Sequence, residues 1–79
     1  MEPTNQEMTF GQKLVGLSFN PSALPDVDRA KVICAELADL VQKQGSPDNS
    51  YLFNLIKGNA LREILNAQMN VVKLLTCKD

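Results

Sequence analysis

Apolar positions along the chain form two long helical patterns preceded by a shorter one. Between residues 26 and 44, Val27, Ala30, Cys34, Leu37 and Val41 recur at 3-4-3-4 spacing, and Ile33 and Leu40 widen the stripe. Pro25 suits the first turn of this helix. Asp26 and Asp28 complement the positive end of its dipole, and Gly45 is a natural stop. Ser46-Pro47-Asp48 then reads as a second start, with Ser46 as N-cap and Pro47 at the first helical position. A long helix is predicted over 48–76. Its apolar set is broad: Leu52, Leu55, Ile56, Leu61, Ile64, Leu65, Val71, Val72, Leu74 and Leu75. Asn59, Glu63, Asn66, Asn70 and Lys73 form a polar strip on the other side.

Residues 7–17 carry Phe10, Leu14 and Leu17 at helical spacing and predict a short helix, weakened by Gly11 and Gly16. Residues 18–25 break the pattern, because Pro21 and Pro25 cannot continue a helix and Asn20 before Pro21 is pushed to an extended backbone. Phe19 and Leu24 are too apolar for a free linker, so this segment is expected to be an ordered turn. Residues 1–6 read as a flexible end. The expected fold is all-α: one helical-hairpin domain over 1–79, made of a short N-terminal helix and an antiparallel two-helix hairpin. The apolar arc on the last helix is wider than one partner helix can cover, which predicts a homo-oligomer.

Length sharpens that expectation. A lone chain of 79 residues buries only about 60% of the surface its unfolded form exposes, so it needs a disulfide, a metal or a partner chain. Two cysteines, Cys34 and Cys77, and no histidine argue against a disulfide framework or a zinc site, and exclude Ser-His-Asp and Cys-His catalysis. The formal charge of -1 argues against binding long nucleic acid. The N-terminus lacks the basic and apolar regions of a signal peptide, the apolar runs are too short to span a bilayer, and free thiols fit a reducing cytosol. No membrane association and no cofactor are expected. The carboxylates Glu36, Asp39 and Glu63 match no hydrolase spacing, so no enzymatic activity is expected either.

Two stretches carry more. One is Gly16-Leu17-Ser18-Phe19-Asn20-Pro21-Ser22, followed by Pro25-Asp26-Val27 and then Lys31. The other is Asn66-Ala67-Gln68-Met69-Asn70-Val71-Val72-Lys73-Leu74-Leu75-Thr76. Together, in order and with a hairpin between them, they resemble the phage anti-CBASS cyclic-oligonucleotide sponge family, whose helical hairpin is shared with a Thoeris anti-defence sponge. The resemblance covers roughly residues 10–76. It implies a phage protein made in the host bacterial cytoplasm and assembled through its hairpins, typically as a hexamer. Such a protein binds cyclic di- and trinucleotide messengers and sequesters them without cleavage.

The resemblance further implies that Phe19 stacks on a base and that Lys31 reaches phosphate, with Asn20, Pro21 and Ser22 on the ligand rim. A possible cyclic trinucleotide site falls on Arg62 and Lys73. Asn70 departs from the Trp of many family members, and Phe19 replaces a Tyr, so the ring stacks without donating a hydrogen bond.

Read from the residues alone, Phe19 also fits a hydrophobic staple, Lys31 a solvated helix position, and Asn20-Pro21-Ser22 a plain turn. Arg62 and Lys73 also fit surface charges. Met69 is expected in the core, and Tyr51 either packs at the hairpin turn or offers a second ring. The competing function is an oligomeric helical adaptor that inhibits a host protein by direct contact.

Overall fold

The computed structural model of the chain describes residues 8–18, 20, 23–46, 48 and 50–77. The expected flexible end, 1–6, lies outside them, as do Phe19, Pro21, Ser22 and Pro47. Among the described residues the chain is all-helical: α1 is Phe10–Val15, α2 is Pro25–Gln42 and α3 is Tyr51–Thr76.

α1 is short but closed at both ends. Thr9 accepts from the Gln12 N–H, and the Gln12 side chain accepts from the Thr9 N–H in return, a capping box. Gly16 ends the helix in the left-handed region at φ 64°, which glycine adopts without a Cβ penalty. The Leu17 N–H then closes back onto the Gln12 carbonyl at 3.0 Å. Gly16 therefore terminates α1 instead of weakening its interior.

α2 begins as expected, with Pro25 in the first turn beside Asp26 and Asp28. Its end differs from the expected glycine stop. The last helical residue is Gln42, and Lys43 caps it in a right-handed conformation. The Lys57 ammonium, reaching from α3, donates to the Gln42 and Gln44 carbonyls at 2.8 and 2.7 Å. A cation on the terminal carbonyls does the work that a left-handed glycine would otherwise do.

α3 starts three residues later than its expected bound. Ser50, not Ser46, is the N-cap, and its hydroxyl accepts from the Phe53 N–H. Ser46 has a different partner: its hydroxyl accepts from the Ser50 N–H at 2.8 Å. Both serines have cap chemistry, and the loop uses one to seat the other.

α2 is the middle element. α1 packs along one side of it and α3 along the other, while α1 and α3 scarcely meet. The result is a slab only 13 Å thick, about the diameter of one helix with its side chains. Such a layer has little interior. Among the described residues the buried apolar ones are Val15, Val27, Ala35, Ala38 and Ile64, accompanied by buried Lys31 and Gln68. Met69, expected in the core, is instead 56% exposed, and of the two readings of Tyr51 packing at the turn does not hold, since the ring is 81% exposed. The polar strip from Asn59 to Lys73 does face outward. No helix among the described residues is long and apolar enough to cross a membrane.

Candidate functional site

The segment between α1 and α2 is tied to α2 at several points. Gly11 lies so close to α2 that a Cβ on it would collide with the Ala35 carbonyl. Its N–H donates to the Asp39 carboxylate at 2.6 Å. At the other end of α1 the Lys31 ammonium donates to the Gly16 carbonyl at 2.9 Å. Gly11 pairs with residues 35 and 39 and Gly16 with residue 31, so α1 runs antiparallel to α2. An acid of α2 thus sits at the positive end of the α1 dipole and a base of α2 at its negative end.

This arrangement changes the picture of Lys31. It is 3% exposed, so the solvated position expected from residue type is wrong. The long stem lies in the crease between α1 and α2, and the charge is satisfied on a helix C-terminus. Asp39, whose spacing matches no hydrolase and which the family resemblance makes structural, ties the start of α1 to α2.

Beyond Gly16 the chain turns again. The Ala23 N–H donates to the Asn20 carbonyl at 3.0 Å, and Ala23 takes a φ of 53°. A left-handed alanine costs about 1–2 kcal/mol, so surrounding bonds must hold the turn. The Asn20 amide supplies two of them, donating to the Leu24 carbonyl at 3.0 Å and to Asp28 Oδ1 at 2.9 Å. These bonds fix the described residues of the segment, Asn20, Ala23 and Leu24, at the start of α2. Of the residues expected to contact a cyclic dinucleotide, Asn20 and Lys31 are brought to the same end of α2. Phe19, Pro21 and Ser22 lie outside the described residues.

Beside this turn, Leu24, Pro25, Asp26 and Leu75 line an opening of about 250 Å³ between the start of α2 and the end of α3. Among its described lining residues the charged one is an acid, Asp26. With Asp28 also in the first turn, two carboxylates flank the start of α2, where backbone N–H groups would otherwise attract an anion.

Arg62 and Lys73 lie on the exposed side of α3. The Arg62 guanidinium donates to Asn59 Oδ1 at 2.9 Å, one turn away. Lys73 is in the last turn, where a cation favours the helix dipole. The two are eleven residues apart, about 16 Å along the axis, so the chain by itself does not bring them together.

A second feature lies on the hairpin. Val41, Gln44, Phe53, Ile56, Lys57 and Ala60 line an open, mostly apolar groove of about 200 Å³ between α2 and α3. Ile33, Leu37 and Leu40 are each about half exposed. They lead into the groove at i,i+4 spacing, Leu37 to Val41 and Leu40 to Gln44. Cys34 and Cys77 are free thiols, and burial pushes the Cys34 thiol above its ordinary pKa. The folded chain therefore favours the neutral thiol at that position.

Comparison of the chain with family models, with characterised proteins and with solved structures finds no match.

Proposed function

We propose that the protein is a phage-encoded sponge that binds cyclic dinucleotide messengers, and cyclic trinucleotides at a second site, in the host bacterial cytoplasm. It would block CBASS signalling by sequestration, leaving the messenger uncleaved. The observation that carries this reading is the ordered pair of motifs, Gly16–Ser22 with Pro25-Asp26-Val27 and Lys31, then Asn66–Thr76, separated by one helical hairpin. The turn after Gly16 supports it, because Asn20 and Lys31 both anchor that segment to α2. A base stacked on an aromatic ring gains about 1–3 kcal/mol, and Phe19 is the ring of that segment. Two copies of the site related by a two-fold axis suit a ligand with two similar halves. The exposed apolar side chains of the hairpin support a homo-oligomer, with a hexamer as the assembly in this reading.

Titration calorimetry with cyclic GMP-AMP, cyclic di-AMP and a cyclic tri-adenylate tests the proposal. Binding of at least one, with intact nucleotide recovered after denaturation, is the expected outcome. Phe19→Ala should weaken dinucleotide binding about tenfold or more, from the loss of stacking, without altering assembly mass. No heat with any of the three ends the proposal. The apolar groove favours one alternative, an oligomeric adaptor that inhibits a host protein by seating one of its helices. Stoichiometric capture of such a protein, with no nucleotide effect on melting, would favour it instead.

A further inference from the structure

An anion-binding segment with a carboxylate beside it needs a reason for that carboxylate. Asp28 is exposed in the first turn of α2, where its charge opposes any phosphate approaching the turn. Yet its Oδ1 accepts from the Asn20 amide at 2.9 Å. The same amide nitrogen donates to the Leu24 carbonyl at 3.0 Å. An asparagine amide has two N–H groups, and these two acceptors take both. The side-chain amide of Asn20 therefore has no further N–H to offer a phosphate. Its amide closes the turn onto the helix, and its backbone carbonyl holds the Ala23 N–H of the strained left-handed residue.

We infer that Asp28 is a positioning residue for the dinucleotide site: by holding the Asn20 amide it fixes Asn20, next in the chain to the ring of the ligand segment, against α2. The inference rests on the sponge reading above and extends it to a residue outside the proposed contacts. Lys31, one turn further along α2, holds Gly16 on the other side of the segment. Asp28 and Lys31 thus anchor the chain just after and just before residue 19. The repulsion Asp28 brings to the ligand is the cost of the anchor.

Two substitutions separate shape from charge. Asp28→Ala removes both the acceptor and the charge, whereas Asp28→Asn removes the charge and keeps an acceptor oxygen for Asn20. Calorimetry uses the full-length protein and whichever of cyclic GMP-AMP and cyclic di-AMP the wild type binds. Asp28→Ala is expected to weaken binding three- to tenfold. Asp28→Asn is expected to restore wild-type affinity or exceed it. Hydrogen exchange at the Ala23 N–H should quicken in Asp28→Ala and not in Asp28→Asn.

Tighter binding by both variants would overturn the inference, since Asp28 would then act only as an opposing charge. Equal weakening in both would also overturn it, because the amide preserves the bond. If the wild type binds neither dinucleotide nor cyclic tri-adenylate, the sponge reading fails and this inference fails with it; if it binds cyclic tri-adenylate alone, only the inference fails, because there is then no dinucleotide site to position. If the wild type binds and Asp28→Ala is unaffected, only the inference fails.

Discussion

At the scale of single residues, adding one methyl group has opposite consequences at two glycines. Gly11 sits against the backbone of α2, and a Cβ there would overlap the Ala35 carbonyl and crowd the Asp39 carboxylate at 2.9 Å. Neither helix can yield without losing the Gly11–Asp39 bond. Gly11→Ala should therefore cost at least the upper end of the about 1–3 kcal/mol typical of overpacking. Gly58 meets nothing within 4 Å and lies mid-helix in α3. There the flexible backbone is the only issue, and Gly58→Ala should stabilise by about 1 kcal/mol. Thermal melts of the two variants check both signs together. From the sequence each glycine looks like the same defect in a helical pattern. The difference lies in a neighbour 24 residues away, which periodicity cannot supply. Lys31 illustrates the same gap: a lysine among polar helix positions reads as solvated, and only the arrival of the α1 C-terminus gives its charge a buried partner.

At the scale of elements, α1 is six residues long, too short to persist alone in water. It is held by its own caps and by α2, through Asp39 at one end and Lys31 at the other. Lys31→Met keeps the apolar stem and removes the ammonium, so it isolates the cap from the packing. The Gly16 carbonyl would lose a charged donor, a loss of about 1–3 kcal/mol confined to α1. The expected outcome is faster hydrogen exchange at the Gly16 and Leu17 N–H groups with α2 and α3 unchanged. Faster exchange throughout would mean that Lys31 supports the whole slab. Helix existence and the start of α2 were legible because they are local: Pro25, Asp26 and Asp28 carry the signal within one turn. The loop between α2 and α3 was less so. Ser46-Pro47-Asp48 and Ser50 are both acceptable starts, and the choice depends on Ser46 bonding Ser50 and on Lys57 reaching back to cap α2. Within the candidate ligand segment, the break before α2 was legible from Pro25. That its asparagine is bound to Asp28 could not be read without α2 folded beneath it.

At the scale of the molecule, a layer one helix thick buries too little to stand comfortably alone. Its described apolar core contains one isoleucine, two valines and two alanines. Much of the remaining apolar surface lies on the hairpin, where Ile33, Leu37 and Leu40 lead into the groove of Val41, Phe53, Ile56 and Ala60. If copies of the chain cover that surface, stability must depend on concentration, because association stabilises the folded state by mass action. Leu37 is 48% exposed in the single chain, so in a monomer Leu37→Glu should alter stability by only about half a kcal/mol. In an assembly the same carboxylate enters an apolar seam without a partner, which is costly. The expected result is a wild-type melting midpoint that rises with protein concentration, and a Leu37→Glu variant with reduced mass in light scattering and a lowered midpoint. Asn66→Glu, on the outward polar strip of α3, should leave both quantities unchanged. A wild-type midpoint independent of concentration, with Leu37→Glu as stable as the parent, would show that the face stays open to solvent. The two-fold duplication of the nucleotide site would then lose its physical basis.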